Sequence, residues 1–366
     1  MDFRPGSSDS EVTARRVAER LELGDAEAEW LAKLESAHRS SPMAMPVADR
    51  LIDLLERLEV PVEDCAEVLD TMPDPDRDPE RWWLLERSNH LLAHDLVSRV
   101  RQTGPPPPAP PRLLPEGMSL FSVHLILVTI KGILNCHQEL GIPGDVSWET
   151  LSLLGRRMAE YKAVQGRTGI ELTGWDWMRF FGLLYQVGRL EVIPYRLCTH
   201  PEAGPLFWYD DETITRRGRG FRRGDPALSI HVPSGDPLNP DVCDTSFARL
   251  PNAFKAVHPG EPPLVATCTS WLLDDQLSEY LPPDSNILRF AQRFELVPGS
   301  LNNDESVLSY VFGASYEKDL DVLPQRTTLQ RAVVKHIRSG RHWRLRTGWS
   351  SLAPQPQASA RFDGST

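Results

Sequence analysis

Residues 227–254 read ALSIHVPSGDPLNPDVCDTSFARLPNAF and give the clearest indication of the fold in the second half of the chain. Its first six residues form a short, mostly apolar run that is typical of a β-strand. The segment Pro233–Pro240 follows and is rich in Pro, Gly, Ser and Asp, the residues expected in a turn. Asn239, Pro240 and Asp241 favour the start of a helix. The stretch therefore predicts a strand, a turn and a helix, which together are typical of a layered α/β domain.

Other short apolar runs predict more strands on both sides of this unit, at residues 189–195, 206–209, 264–271, 294–297 and 307–312. One helix is predicted at residues 241–257, a second is built from residues 274–281 and 285–294, and a last one is predicted at 327–340. We expect a mixed α/β sheet domain over residues 186–349. The remaining segment, residues 350–366, is rich in Ser, Ala, Pro and Gln and is predicted to be a disordered tail.

The first half of the chain predicts helices. Apolar residues recur at helical spacing in VADRLIDLLERL at 47–58, and a second helical block runs from about Met118 to about Tyr185. Between them, residues 104–111 read GPPPPAPP and predict an extended polyproline linker. We expect an all-helical domain over residues 1–185, so that the complete fold is of the α+β class with two domains.

Composition and charge exclude several classes of protein. The net charge of −11 disfavours a nucleic-acid-binding protein. The longest apolar stretch, residues 120–130, is too short to span a bilayer, and the first residues lack the apolar core of a signal peptide, so we expect a cytoplasmic protein. Five cysteines, an odd number with no CxxC pair, predict neither a disulfide framework nor a zinc site.

Several segments together resemble a family of actinobacterial acyltransferases. That family includes the enzymes that attach long acyl chains to the aminosugar of glycopeptide antibiotics. The resemblance is carried by GRLEV at 188–192, LSIHVPSGDPL at 228–238, CDTSFARLPNAF at 243–254, CTSWLLD at 268–274, PPDSNILRFAQRFELV at 282–297 and LPQRTTLQRAV at 323–333. It implies a helical N-terminal domain, a GNAT-like C-terminal domain, acyl-CoA as the co-substrate, an amine acceptor and no metal.

His231 is the candidate catalytic residue, at the predicted end of its strand. An amine acceptor must lose a proton when it attacks a thioester, and histidine can take that proton directly or through water. The alternative is a histidine packed in a sheet and hydrogen-bonded to the backbone. The resemblance favours the catalytic interpretation.

The resemblance implies that coenzyme A contacts Val232, Ser234, Gly235, Trp271 and Asn286. GNAT enzymes usually hold the pyrophosphate with a loop of the pattern Q/R-x-x-G-x-G/A, whereas the stretch PSGDPLNP has a single glycine. An ordinary turn between strand and helix is therefore the alternative for the loop, and plain core packing is the alternative for Trp271.

Three other features give weaker hypotheses. Five arginines stand among residues 216–223 and another basic segment covers 326–346; either could meet a phosphate, although a solvated surface explains both. Cys268 is interpreted as structural, because nothing in the sequence pairs it with a base. His90 and His94 lie one helical turn apart, but no third metal ligand is identifiable.

The resemblance thus implies an acyl-CoA-dependent N-acyltransferase that acts on an amine, such as the amine of an aminosugar or of another natural product. The alternative function is a GNAT-like module that binds or regulates without catalysis, since the usual glycine-rich loop is absent.

Overall fold

The computed structural model describes residues 12–36, 48–93, 96–102, 118–197, 224–313 and 319–352. The chain divides into two compact units, Met1–Gln186 and Val187–Thr366. The predictions for the proline-rich linker, the strand at 206–209, the arginines among 216–223, His94 and the tail beyond residue 352 lie outside the described residues.

The described part of the first unit consists mainly of helices. They are α1 (Ala14–Arg20), α2 (Asp25–Ser36), α3 (Ala48–Arg57), α4 (Val62–Asp70), α5 (Pro79–Ala93), α6 (Leu96–Gln102), α7 (Phe121–Glu139), α8 (Gly144–Leu151), α9 (Leu153–Gln165) and α10 (Gly174–Phe180). Capping defines several starts: Thr173 and Asp176 form a reciprocal capping box at α10. No helix in the described residues is long and apolar enough to cross a membrane.

The second unit is built on a sheet with helices between its strands. A short strand β1 (Tyr185–Val187) lies at the boundary of the two units. The strands that follow are β2 (Leu190–Arg196), β3 (Pro226–His231), β4 (Val265–Ser270), β5 (Glu295–Leu296), β6 (Leu301–Asn302) and β7 (Arg344–Ser351). The helices are α11 (Pro240–Phe254), α12 (Asn286–Ala291), α13 (Asp304–Phe312) and α14 (Thr328–Arg338), with 3₁₀ turns at Trp271–Leu273 and Asp275–Glu279.

The sheet is mixed, with one parallel pair at its centre. Strand β3 pairs antiparallel with β2 and parallel with β4, and β4 pairs antiparallel with β7. The far edge of β7 pairs with both β5 and β6. The α11 helix lies between β3 and β4 in the chain, as a parallel crossover requires. The helical-plus-mixed-sheet architecture that the sequence predicts is therefore present.

Two elements of the second unit correct the sequence interpretation. The predicted strand at 307–312 is part of the helix α13, because Asn303 caps the helix by accepting a hydrogen bond from the Ser306 N–H, and two acidic residues fill the first turn. The basic segment at 326–346 spans two elements: the helix predicted at 327–340 is α14, which ends at Arg338, and the strand β7, which was not predicted, begins at Arg344. Because β7 runs to Ser351, the expected disordered tail cannot begin at residue 350.

Candidate functional site

The sheet opens between β3 and β4. Their parallel pairing covers Ala227 with Val265, Leu228 with Ala266 and Ser229 with Thr267, and then stops. Each strand nevertheless continues on its outer side, where β3 pairs with β2 as far as His231 and β4 pairs with β7 as far as Ser270. The carboxyl ends of two parallel strands therefore diverge, and the backbone groups that line the opening no longer bond to each other. An open parallel sheet commonly binds ligands at such a place.

One face of the sheet becomes polar toward this opening. Residues two apart on a strand share a face, and so do directly paired residues. At the amino end of β3 this face is apolar and includes a cluster of Tyr195, Leu197, Ala227, Val265, Val297 and Trp349. Farther along, the same face carries Ser229 and Thr267, and at the opening it carries His231, Glu191 and Thr269. The polar side chains are thus concentrated where the strands part.

His231 ends β3 at the opening and keeps part of its surface exposed. Its Nε2 lies 3.0 Å from the hydroxyl of Ser229, a side chain that is buried. Burial among protein atoms lowers the pKa of His231 to about 4, because the charged imidazolium loses its hydration. The imidazole is therefore neutral at pH 7 and available to accept a proton.

Glu191 stands directly opposite His231 on β2, and its side chain is buried. Paired residues of antiparallel strands place their Cβ atoms about 4.5–5.5 Å apart. The site therefore combines a carboxylate and an imidazole on one face, which the sequence analysis did not single out. In the sequence, Glu191 is indicated only by the alternation of apolar and polar residues in GRLEV. Its position opposite His231 follows only from the strand register.

Arg189 fixes the loop between β3 and α11. Its Nε and Nη2 donate to the carbonyl oxygen of Asp236 at 2.8 and 2.5 Å, and Nη2 also donates to the carbonyl oxygen of Pro233 at 2.9 Å. Its own backbone N–H donates to Ser246 Oγ at 2.9 Å, so that the turn before β2 is fastened to α11. Gly188 is required in this turn, since its φ is +60° and an added Cβ would lie 2.5 Å from Ser246 Oγ.

Tyr310 connects the two sides of the opening. Its hydroxyl donates to the Pro233 carbonyl oxygen at 3.2 Å, on the β3 side. Its ring meets Trp271 edge-on, with ring centroids 5.5 Å apart, on the β4 side. Burial raises the pKa of Tyr310, so the phenol stays protonated and can donate at neutral pH. Tyr310 was not predicted as a site residue, because its segment was assigned to a strand.

The five residues predicted to contact coenzyme A do not all lie together. Val232, Ser234 and Gly235 belong to the loop that Arg189 fixes, and Ser234 and Gly235 are exposed. Trp271 is buried in the 3₁₀ turn after β4, not in the strand itself. Asn286 is exposed at the first residue of α12, which is a separate element. The loop and Trp271 thus border the opening from its two sides.

The remaining candidates do not form a second chemical centre. Burial raises the pKa of the Cys268 thiol to about 12, so this side chain stays protonated and is a poor nucleophile. The cysteines at 65, 136, 243 and 268 are free thiols. Among the described residues, no three His, Cys, Asp or Glu side chains are grouped so as to hold a metal ion.

Both parts of the chain match known families. Residues 184–350 match the family described as GNAT-like C-terminal domain, and residues 49–182 match the N-acyltransferase N-terminal domain. No protein in a search of curated sequences matches.

Solved structures similar to this chain are acyltransferases. One, an acyltransferase in complex with decanoyl-CoA and teicoplanin, is 35% identical with a TM-score of 0.71, over 93% of this chain and 100% of that chain. Two others, an acyltransferase in complex with CoA and 10C-teicoplanin and an acyltransferase in complex with decanoyl-CoA, are 34% identical with TM-scores of 0.70 and the same coverage.

Proposed function

Because this chain belongs to the family of acyltransferases that join an N-acyltransferase N-terminal domain to a GNAT-like C-terminal domain, we propose that it transfers an acyl group from coenzyme A to an amine. The thioester of acyl-CoA is the donor, and the products are an amide and free coenzyme A. The similar enzyme of 35% identity was crystallised with decanoyl-CoA, which supports a long-chain acyl donor.

The observation that carries this proposal is the opening of the sheet between β3 and β4. The ladder stops at Ser229 and Thr267 although both strands continue, so backbone N–H and C=O groups face each other across a gap. Such groups need hydrogen-bonding partners. The pantetheine arm is a narrow chain with two amides and can supply these partners while it lies between the strands.

His231 is the proposed general base. The acceptor amine attacks the thioester carbonyl, and this attack makes the nitrogen more acidic as it gives up its electron pair. An imidazole with a pKa of about 4 is too weak to deprotonate a free ammonium group, but it is neutral and can take the proton that the attacking nitrogen releases. Backbone N–H groups at the opening would stabilise the oxyanion that develops on the carbonyl.

The Pro233–Pro240 loop is the proposed site for the pyrophosphate of coenzyme A. It leads into the amino end of α11, a helix of 15 residues, where backbone N–H groups and the helix dipole favour an anion. Val232, Ser234 and Gly235 would contact the cofactor from this loop, and Trp271 would border the acyl or pantetheine chain. Asn286 remains a weaker candidate, because it starts a different helix.

The acceptor is proposed to be the amine of an aminosugar in a glycopeptide or a related natural product. Two similar structures contain teicoplanin or 10C-teicoplanin, which supports this class of acceptor. We further propose an all-helical domain over residues 1–185, a GNAT-like domain from residue 186 to the end of β7 at Ser351, and an actinobacterial-type enzyme working in the cytoplasm, where acyl-CoA is produced.

A transfer assay tests the proposed function. The purified chain would be incubated with decanoyl-CoA and either a glycopeptide with a free aminosugar or the matched compound with a hydroxyl in place of the amine. We expect mass spectrometry to detect a decanoyl amide and an equal amount of free coenzyme A with the amine only. Transfer to the hydroxyl compound alone would show O-acylation instead, and no binding of decanoyl-CoA would contradict the function.

A further inference from the structure

We propose that Arg189 replaces the glycine-rich pyrophosphate loop: it fixes the 233–236 backbone and supplies the positive charge that binds the pyrophosphate of coenzyme A. This inference rests on the proposed function. GNAT enzymes usually bind the pyrophosphate with a glycine-rich loop, whereas the loop of this chain has one glycine. Arg189 would compensate for the missing glycines.

Arg189 places a positive charge beneath the 233–236 loop. Its guanidinium is buried, with only 8% of the residue exposed, and arginine remains protonated at any ordinary pH. Within the part of the chain that the structure describes, no carboxylate lies within ion-pair distance of it, and its side chain donates to the carbonyl oxygens of Pro233 and Asp236 and contacts Tyr310. Buried arginines are otherwise almost always paired with an anion. The site therefore has a positive charge that an anionic ligand can neutralise.

The backbone of the loop directs a carbonyl oxygen inward and the next N–H outward. The Pro233 carbonyl oxygen accepts from both Arg189 and Tyr310 and is thereby turned toward these side chains. In a trans peptide the carbonyl and the following N–H point in opposite directions, so the N–H of Ser234 points away from Arg189. Ser234 and the next residue, Gly235, are exposed. The loop thus offers at least one backbone donor on its outer side, above a buried cation.

Gly235 has a backbone conformation that favours glycine. Its φ of +111° is a conformation that other residues rarely adopt, while an added Cβ would find no atom within 4 Å. The backbone conformation therefore requires glycine at this position, whereas steric crowding does not. With one such glycine and Arg189 beneath it, the loop can present donors to an anion without further glycines.

The experiment compares three ligands that differ in their phosphates. Coenzyme A has both the pyrophosphate and the 3′-phosphate, dephospho-coenzyme A has the pyrophosphate only, and pantetheine has neither. We expect Arg189→Gln to weaken binding of the first two by about 10- to 100-fold in calorimetry, the range for a lost hydrogen bond to a charged group. Pantetheine should bind the variant and the parent equally.

Three further variants keep the test decisive. Arg189→Lys keeps the charge without the forked donors and should lose less than Arg189→Gln. Tyr310→Phe removes the second donor to Pro233 from a side chain that is 39% exposed, so it should fold, and should weaken coenzyme A by about 2- to 5-fold. Arg196→Gln is the matched control, because Arg196 lies at the far end of β2 from Arg189, where it bonds to Gly224 and Glu261, and the variant should bind as the parent does.

Specific outcomes would overturn the inference. If Arg189→Gln and Tyr310→Phe bind coenzyme A as tightly as the parent does, or if pantetheine binding falls by the same factor, Arg189 does not act on the pyrophosphate. If the parent itself binds neither coenzyme A nor decanoyl-CoA, the proposed function fails before this inference is reached.

Discussion

Replacing His231 with alanine separates a catalytic histidine from a packed one. The pKa of about 4 lies about 2.5 below the ordinary value of 6.5, which is roughly 3.4 kcal/mol against protonation at this site. Only about one molecule in a thousand carries a charged His231 at pH 7. Loss of a general base typically lowers turnover by about 10²–10⁴, or about 2.7–5.5 kcal/mol of transition-state stabilisation.

The pH profile gives the sharper prediction. Since His231 stays neutral down to about pH 4, the ratio of parental to His231→Ala kcat/KM should stay constant between about pH 5.5 and 8. Over that range both profiles should rise with pH, because the acceptor amine must lose its own proton. An ordinary pKa of 6.5 would instead reduce the ratio about tenfold between pH 7.5 and 5.5.

His336→Ala is the control for loss of packing. His336 is fully buried in the same unit, stacks on Trp343 with ring centroids 4.1 Å apart, and bonds to the Tyr280 hydroxyl at 3.0 Å. We expect it to lower the free energy of unfolding by about 2–4 kcal/mol while each folded molecule keeps its turnover. His231→Ala should show the reverse pattern, in melting curves and initial rates with decanoyl-CoA. A folded His231→Ala protein with near-parental turnover would refute the assignment.

Three other substitutions test the loop and the acid stability of the first unit. Gly235→Leu should fold despite a strain of about 1–3 kcal/mol from the φ of +111° at this position. It should bind coenzyme A at least about tenfold more weakly in calorimetry, because the new side chain covers the loop, and an affinity equal to that of the parent would place the site elsewhere. Asp236→Asn removes an exposed carboxylate from the loop and should tighten coenzyme A by about 2- to 5-fold at low salt; a gain that persists in 1 M salt would not be electrostatic. His137 is buried with neither ring nitrogen hydrogen-bonded, and burial lowers its pKa to about 4, so between about pH 6.5 and 4 the unfolded state binds more protons than the folded state and the free energy of unfolding should fall as the pH drops. Urea titrations of His137→Leu should show a smaller fall over this pH range, and a fall equal to that of the parent would contradict this cause.

The strands nearest the site were predictable because their sequences are short, apolar and bounded by turn residues. The prediction for β3 was residues 227–232, and the strand is Pro226–His231. The helix start at Asn239 and Pro240 was likewise correct, because capping depends on neighbours in sequence. Such local signals require no knowledge of the rest of the fold.

The wrong secondary-structure predictions occurred where contacts with the rest of the fold determine the structure. The run VLSYVF at 307–312 suits either a strand or a helix, and the deciding cap at Asn303 was overlooked. The β7 sequence RLRTGWSS is polar and lacks alternation, yet it is held between β4 on one side and β5 and β6 on the other. Pairing with neighbours, not intrinsic preference, makes this segment a strand.

The candidate site was predicted only in part for a related reason. His231 and its loop are contiguous in sequence, so one motif contained them. Arg189 and Tyr310 reach the same loop from 44 and 77 residues away, through contacts that only the folded chain creates. Glu191 becomes a candidate only through its register with His231.

The location of bound acyl-CoA shows whether the opening between β3 and β4 is the donor site. The measurement is a crystal structure of the chain grown with decanoyl-CoA. We expect the pantetheine arm to lie between the diverging ends of β3 and β4, with the thioester near His231 and the pyrophosphate on the 233–236 loop above Arg189. Decanoyl-CoA bound elsewhere, with β3 and β4 closed against each other beyond Ser229 and Thr267, would contradict it.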